Sequence, residues 1–461
     1  MADQLNLLVI VWGGARADRL SCAGYGRETT PFLDQLAREG VRFPYMFATA
    51  PWTLPSHAAL FTGLHSASHG ATDENRSLSP RHTVISEYAR AAGFRTAAFC
   101  TNPWVSPETG FGRGFESFFT QRYRHRLASR ALLYGRKAGD KLLRRDDSGG
   151  RRTNAALRRW IAGSDQPFFA FVHYNETHLP YQLPPPYDRL FVPRQTPASR
   201  VRAVNQDSDR YMAGEVAMGD EDFGILRALY DGALRYVDTR LRELAEFLRA
   251  RGEWERTLCV VTADHGEHLG DHGMLGHTLG LADSLLHVPL LLRCAPWVPQ
   301  GFVVDELAET TDIMPTILRL LGIPEEGGRL HGRALLEGGR ATAGPGFTIA
   351  ERFRPNVSAL SAVHQRFPQL DTRPFDIRQK AIRTKREKFV WRSDEVNEFY
   401  DLAKDPAEAH NVIAEESDRA EALRRRLFDW LASVERCEFD APAPGDDGVM
   451  RRQMQGRGDA Q

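Results

Sequence analysis

The segment TLCVVTADHGEH, residues 257–268, passes directly from a short apolar run into a dense cluster of polar side chains. The run at 257–262 is rich in β-branched residues, which predicts a buried strand. Asp264, His265 and Glu267 follow at its carboxyl end. Ligands of open α/β sheets bind just beyond the carboxyl ends of the strands. The segment therefore indicates an α/β fold with a site at this strand end.

Outward from this segment, apolar runs alternate with stretches of helical spacing. Further strand candidates lie at 6–12, 94–100, 168–172 and 288–293. Helix candidates lie at 32–40, 226–249 and 313–321. Such alternation is typical of parallel strands joined by helical crossovers. We predict an α/β fold with a mostly parallel central sheet flanked by helices on both faces.

Changes of pattern along the chain predict three regions. A large first domain covers 1–374, a small C-terminal α+β subdomain with an antiparallel sheet and a helix covers 375–440, and a disordered tail covers 441–461. The basic segment 121–152 reads as an insertion, either a solvated helical face or a surface for an anionic substrate or partner. The Pro-rich and then polar segment 184–222 is more typical of a lid or a long loop.

The composition of the 461-residue chain argues against nucleic acid and membranes as binding partners. Sixty Lys and Arg balance sixty Asp and Glu, so no net charge favours nucleic acid or a membrane surface. The first apolar run is far shorter than the ~20 residues that cross a bilayer, and no basic secretory signal precedes it. Five widely spread cysteines are typical of thiols in a reducing compartment. We expect a cytoplasmic protein that binds neither nucleic acid nor membrane; its oligomeric state stays open.

Candidate metal ligands lie in the opening segment. A carboxylate beside an imidazole, as in Asp264 and His265, suits a divalent ion such as Zn²⁺ or Mn²⁺. A polar loop with a capping Asp and surface histidines is the alternative. His277, further along the same loop, fits a site residue and a structural residue equally well.

Two other strand ends carry candidate polar groups. Asn102 follows the run at 94–100, and the segment HYNETHLPY at 173–181 follows the run at 168–172. Either His173 or His178 is suited to protonate a leaving oxygen, because an imidazole titrates near neutral pH. A purely structural role is the alternative for each.

A candidate nucleophile lies in the segment PWTLPSHAALFTG, residues 51–63. Pro55 favours the first turn of a helix, which places Thr53 at or just before the helix N-terminus. Free amides and the helix dipole favour negative charge there, so a hydroxyl at this position suits nucleophilic attack once a metal lowers its pKa. A simple Thr cap is the alternative, and His57 alone is typical of a surface helical residue.

Taken together and in order, these segments resemble the sulfatase branch of the alkaline phosphatase superfamily. The resemblance rests on segments at 6–20, 30–43, 52–63, 110–115, 173–181, 262–277, 312–316 and 398–402. It implies an alkaline phosphatase-like fold and a metal-assisted hydrolase or group transferase for a small anionic phosphate or sulfate ester.

The resemblance also assigns roles. It implies attack by Thr53, protonation of the leaving alcohol by His178, and contacts from His277 and Asn102 to the equatorial oxygens. With His57 of the nucleophile segment, the candidate catalytic residues are Thr53, His57, Asn102, His178 and His277. The implied cofactor is one divalent ion, Ca, Mn, Mg or Zn, held by Asp264, His265 and Thr53.

Two departures from the family pattern bear on function. Thr53 stands where sulfatases carry a Cys or Ser that matures to formylglycine, and threonine cannot form that aldehyde. Superfamily members with a Thr nucleophile resemble phosphodiesterases and phospho-group transferases. Gly13 and Gly14 stand where the family has metal-binding Asp residues, which leaves few oxygen ligands for a hard ion.

Three functional hypotheses follow. The first is the metal-assisted hydrolase or transferase with a Thr nucleophile. The second is a metal-deficient, catalytically impaired or repurposed member that binds an anionic ligand or partner. The third is metal-free chemistry in which the Gly13–Gly14 backbone approaches the ligand closely.

Overall fold

The computed structural model describes residues 5–120, 147–295, 297–325, 330–355 and 363–434. Its strands are β1 (Asn6–Trp12), β2 (Val41–Arg42), β3 (Met46–Phe47), β4 (Arg95–Cys100), β5 (Ser117–Thr120), β6 (Phe168–Tyr174), β7 (Thr257–Thr262), β8 (His268–Leu269), β9 (Leu275–Gly276), β10 (Leu290–Arg293), β11 (Phe302–Val303), β12 (Ala308–Glu309), β13 (Leu336–Glu337), β14 (Arg340–Ala341), β15 (Thr348–Arg352), β16 (Gln379–Arg383), β17 (Glu387–Arg392) and β18 (Glu398–Asp401).

The helices connect these strands and cover the sheet. They are α1 (Pro31–Glu39), α2 (Thr53–Thr62), α3 (Ser66–His69), α4 (Ile85–Ala91), α5 (Gly150–Ala162), α6 (Ala198–Ala203), α7 (Ser208–Met212), α8 (Asp220–Ala250), α9 (Asp283–Leu286), α10 (Ile313–Leu321) and α11 (Ser417–Ser433). Short 3₁₀ turns lie at Ala17–Arg19, Ser21–Ala23, Pro107–Thr109, Trp254–Arg256, Asp271–Gly273, Thr310–Asp312 and Arg373–Phe375.

An eight-stranded sheet forms the centre, in the order β11-β2-β10-β7-β1-β6-β4-β5. Within it, β10 alone runs antiparallel to its neighbours. All seven residues of β1 are buried, as expected for a strand covered on both faces. The predicted mostly parallel sheet is confirmed, and the strand predicted at 257–262 has these bounds in the structure.

The C-terminal sheet has four strands in the order β15-β16-β17-β18, and α11 packs on it around a separate apolar core. The sheet takes its first strand from Thr348–Arg352, before the boundary predicted at 375. Strand β15 pairs with β16 across a long connection, which a local pattern does not reveal. The predicted tail at 441–461 lies outside the described residues.

Two predicted insertions differ in how far the structure describes them. Of the basic segment 121–152, residues 121–146 lie outside the described range, and the rest leads into α5. The segment 184–222 contains α6, α7 and the first turn of α8. Helix α8 begins at Asp220 rather than 226, because three acidic residues in its first turn favour the helix N-terminus.

Helix α1 receives its N-terminal cap from another helix. Thr30 makes no side-chain capping bond, and the Asp238 carboxylate of α8 accepts instead from the amides of Phe32 at 2.9 Å and Leu33 at 2.8 Å. We expect Asp238→Ala to lower the free energy of unfolding by about 2 kcal/mol, because two buried amides lose their acceptor. Urea denaturation measures the effect, with exposed Glu246→Ala on the same helix as control; equal stability of the two variants would contradict it.

The structure also bears on the predictions about cysteines and membrane-spanning segments. Cys22, Cys100, Cys259 and Cys294 are free thiols, and Cys437 lies outside the described residues. Within the described ranges, no helix combines the length and apolar character needed to cross a membrane.

Candidate active site

The carboxyl ends of four neighbouring parallel strands, β7, β1, β6 and β4, meet at one edge of the central sheet. Each is followed by a residue of interest: Asp264 after β7, Gly13 after β1, Asn175 after β6 and Asn102 after β4. Parallel pairing explains why segments far apart in sequence converge here.

Thr53 reaches this edge from the first residue of α2. The helix is buried along its whole length, and the N-cap position belongs to Trp52. The Thr53 hydroxyl lies 3.4 Å from His265 Nε2 and 3.4 Å from Asn102 Nδ2. It therefore faces the strand-end cluster and does not cap its own helix.

The loop after β7 is held against α2 and β1 by backbone contacts. Ser56 Oγ donates to the Asp264 carbonyl at 2.5 Å. The Asp264 Oδ1 atom accepts from the amides of Gly14 and His265, each at 3.0 Å. These bonds fix one carboxylate oxygen and leave Oδ2 to face the cluster.

Asp264 Oδ2 is buried and accepts no hydrogen bond from any described residue. Three imidazole nitrogens surround it: His265 Nε2 at 3.4 Å, His57 Nδ1 at 3.6 Å and His173 Nε2 at 4.0 Å. Burial by itself raises the pKa of this carboxyl, but His265, His57 and His173 outweigh it and hold the pKa well below its usual range. Asp264 is thus an ionised, buried carboxylate.

The tautomers of two histidines follow from carbonyl partners, which can only accept. His265 Nδ1 donates to Gly266 O at 2.8 Å, so its Nε2 carries the lone pair that faces Asp264 and Thr53. His57 Nδ1 donates to Thr53 O at 2.8 Å, so the nitrogen near Asp264 carries a proton. Burial lowers the pKa of both imidazoles, which keeps them neutral. His265 therefore suits a metal ligand.

A second group lies beside the first. The His277 ring stacks on His265 at 4.3 Å between centroids and meets His178 edge-on at 4.6 Å. His277 Nδ1 bonds Glu267 Oε1 at 2.9 Å, and His178 Nδ1 donates to Leu179 O at 2.5 Å. Burial lowers the pKa of His178 and of His277 to about 4. The structure therefore brings all the predicted site residues into two adjoining groups.

Sequence reasoning assigned no role to Glu267 and a different role to His173. Glu267 is fully buried and its carboxylate links His277 to the Leu179 amide, a contact that its place in a polar loop does not reveal. His173 appeared as a proton donor for a leaving group, yet it lies against Gly13. A Cβ at residue 13 would be 3.0 Å from both Cε1 and Nε2 of His173.

The donors fit a divalent cation. An ionised carboxylate oxygen without a partner, next to a lone pair on His265 and the Thr53 hydroxyl, is an uncompensated buried charge that a cation would neutralise. Asp18, the other carboxylate near β1, does not contribute, because both its oxygens accept from Arg16. A grouping of His57, His173 and Asp264 and another of His178, Glu267 and His277 are compact enough to hold an ion.

Fold and strand-end cluster together define an alkaline phosphatase-like α/β protein. A family model described as Sulfatase matches residues 5–323, and the chain belongs to the sulfatase family. It is 28% identical over 395 residues to the multifunctional alkaline phosphatase superfamily protein PehA of Trinickia caryophylli, covering 72% of this chain and 76% of that protein. Arylsulfatase K of Bos taurus is 23% identical over 86% of this chain and 76% of its own length.

Among solved structures, the chain is similar to the phosphonate monoester hydrolase of Agrobacterium radiobacter. The TM-score is 0.76 at 25% identity, over 93% of this chain and 96% of that one. Membership of the family supports hydrolysis of a sulfate or phosphate ester.

Proposed function

We propose that the protein is a metal-dependent hydrolase or group transferase for a small phosphate or sulfate ester, with Thr53 Oγ1 as nucleophile. One observation carries the proposal: this hydroxyl lies 3.4 Å from both His265 Nε2 and Asn102 Nδ2, at the strand edge that holds the ionised Asp264. Among the described residues both contacts of this hydroxyl are with the strand-end cluster, and it bonds no atom of α2.

The residues that would hold the cation are Asp264, His265 and Thr53. When bound there, a divalent ion lowers the pKa of a hydroxyl and neutralises charge on a phosphoryl or sulfuryl oxygen. The protein's own contribution is geometric: the Gly14 amide and the Ser56 hydroxyl fix Asp264, and the Gly266 carbonyl fixes the tautomer of His265.

The chemical step forms one bond and breaks another. Thr53 Oγ1 bonds the phosphorus or sulfur while the bond to the leaving alkoxide breaks, and the leaving oxygen takes a proton from His178. Water then attacks the Thr53 ester and releases phosphate or sulfate, or an acceptor alcohol takes the group instead. The proton that Thr53 loses on attack passes to solvent, and His178 later regains one from solvent. In the second step one proton of the attacking water or alcohol returns to Thr53 Oγ1, so atoms and charge balance over the cycle.

Proton handling depends on the substrate's charge. His178 is neutral at pH 7 in the free site, with its pKa near 4 through burial and the nearby His277. A bound anionic ester raises the pKa of an adjacent imidazole, because negative charge favours the cationic form. When the ester binds, His178 therefore gains a proton, which it then donates to the leaving oxygen.

Asn102 is placed to steady a transferred oxygen. Its Oδ1 accepts from the Trp104 amide at 2.9 Å, which aims Nδ2 at Thr53. An amide N–H held in this way stabilises an oxygen that gains charge in the transition state.

Metal removal tests the proposal. Chelated protein is expected to turn over aryl phosphate, phosphodiester, phosphonate monoester and aryl sulfate substrates at least about 100-fold more slowly than protein supplied with Zn²⁺, Mn²⁺, Mg²⁺ or Ca²⁺, because the cation stabilises developing charge. Steady-state rates before and after chelation measure the effect. A matched control adds each metal to heat-inactivated protein.

The contrary outcome has a definite meaning. If no substrate is turned over above the control with any of the four metals, the proposal fails. Calorimetric binding of inorganic phosphate or sulfate by that inactive protein would then support the second hypothesis, a repurposed member that binds an anion.

A further inference from the structure

We propose that His173 supplies the metal ligand that Gly13 and Gly14 lack, which makes the site nitrogen-rich and selective for Zn²⁺ over Mg²⁺ and Ca²⁺. The inference rests on the proposed function for the presence of a cation beside Thr53. It concerns which side chains hold that cation, a question that metal affinity answers without reference to turnover.

His173 is a buried polar side chain whose ring nitrogens bond none of the described residues. It is 0% exposed, and neither ring nitrogen has a hydrogen-bond partner in the part of the chain that the structure describes. Its ring also packs against the His57 ring, with 5.3 Å between centroids, at the edge of the Asp264 cluster. Buried polar atoms without partners are rare in native proteins and indicate a missing ion or water.

The place of His173 explains the glycine at residue 13. Strands β1 and β6 pair in register, with Val11 opposite His173, and the Gly13 amide bonds Tyr174 O at 2.8 Å. A side chain at residue 13 would meet the His173 ring, since its Cβ alone lies 3.0 Å from Nε2. A carboxylate side chain at residue 13, after β1, and the His173 imidazole, in β6, would therefore occupy the same space.

The distances around Asp264 suit a shared ion. Bonds of about 2.0–2.1 Å at tetrahedral angles place ligand atoms about 3.3 Å apart. Asp264 Oδ2 to His265 Nε2 and His265 Nε2 to Thr53 Oγ1 are both 3.4 Å. His173 Nε2, at 4.0 Å from Asp264 Oδ2, reaches the same spacing by moving about 0.7 Å, and no hydrogen bond holds its ring.

His57 is close to the same oxygen but does not qualify as a ligand. Its Nδ1, the nitrogen near Asp264, carries the proton donated to Thr53 O. We assign the ligand set as Asp264, His265, His173 and Thr53, in which Asp264 Oδ2 is the atom that both imidazoles approach. Two imidazoles with a single carboxylate suit Zn²⁺, whereas Mg²⁺ and Ca²⁺ prefer six or more oxygens.

Isothermal titration of metal-free protein with Zn²⁺ and Mg²⁺ tests this assignment. His173→Ala is expected to weaken Zn²⁺ binding at least about 10-fold, since even outer-shell partners of a ligand are worth that much. The affinity for Mg²⁺, which is weak in the parent, is expected to stay within about threefold of the parent value in this variant. The matched control is His272→Ala, a histidine of the loop after β7 that lines a different cavity.

Two further variants keep the test decisive. His173→Phe preserves an aromatic ring should the alanine variant fold poorly, and is expected to lose Zn²⁺ affinity equally. The double variant Gly13→Asp with His173→Ala replaces the imidazole by a carboxylate in the same volume, and its ratio of Zn²⁺ to Mg²⁺ affinity is expected to fall at least about 10-fold.

The outcomes separate the two proposals. Unchanged Zn²⁺ affinity in folded His173→Ala and His173→Phe overturns the assignment of His173, even if the parent turns over esters. The parent could also bind Zn²⁺ through His173 and yet turn over no ester. That result supports the assignment of His173 and contradicts the proposed function. Co²⁺ bound in place of Zn²⁺ has a visible absorption spectrum that reports its ligands. If His173 is a ligand, the spectrum of Co²⁺-loaded His173→Ala differs from that of the Co²⁺-loaded parent; identical spectra overturn the assignment.

Discussion

Thr53→Ala is expected to lower metal-dependent ester turnover by at least about 10⁴-fold, because it removes the oxygen that forms the covalent ester. Unfolding is expected to change little, since the hydroxyl has only two 3.4 Å contacts. Thr53→Ser retains the hydroxyl and is expected to stay within about 10-fold of the parent. Steady-state kinetics on the most rapidly cleaved ester measure all three proteins.

Thr62→Ala is the matched control for this effect. Thr62 lies in the same helix, is equally buried, and bonds the Ala58 carbonyl at 2.6 Å, far from the strand edge. Its loss is expected to affect stability and not turnover. Parent-like turnover by Thr53→Ala would show that another group attacks the ester, as would a trapped phosphoryl or sulfuryl group mapped to any other residue.

Gly266→Ala is the second large expected effect, a fall of about 3 kcal/mol in the free energy of unfolding together with loss of metal binding. A Cβ at residue 266 would lie 2.1 Å from Ser284 O and 3.1 Å from Arg16 Cγ. The closer atom belongs to the backbone, and the Gly266 amide is itself bonded to Leu285 O at 2.7 Å. The loop that carries Asp264 and His265 must therefore move.

Urea denaturation and metal titration measure the two parts of this prediction. Gly26→Ala is the control, because no atom lies within 4 Å of its Cβ position and the residue is exposed. A Gly266→Ala variant as stable as Gly26→Ala, with unchanged metal affinity, would show that this loop is not fixed by its contact with α9.

The amino-acid pattern predicted the central sheet because its strands are short, continuous and apolar. β7 keeps the bounds expected for it, and the strand-end rule correctly placed Asp264 and Asn102 at the same edge of the sheet. The position of Thr53 followed from helix-start signals, though the structure shows that Trp52 holds the capping position. Local sequence patterns were sufficient to predict those features that depend on a single segment of the chain.

Features that depend on two distant segments escaped prediction. The volume shared by Gly13 and His173 arises from the register of β1 against β6, which periodicity does not encode. The contact of Glu267 with His277 depends on how the loop after β7 folds back. The pairing of β15 with β16 joins strands on either side of a long connection, so the C-terminal sheet begins earlier than composition suggested.

The most direct measurement is anomalous X-ray diffraction at the zinc edge from crystals of the full chain grown with Zn²⁺. We expect one strong peak about 2.0–2.2 Å from Asp264 Oδ2 and His265 Nε2, with Thr53 Oγ1 and His173 Nε2 turned toward it. A zinc-containing map with no peak between Thr53 and the Asp264–His265 pair would contradict the account.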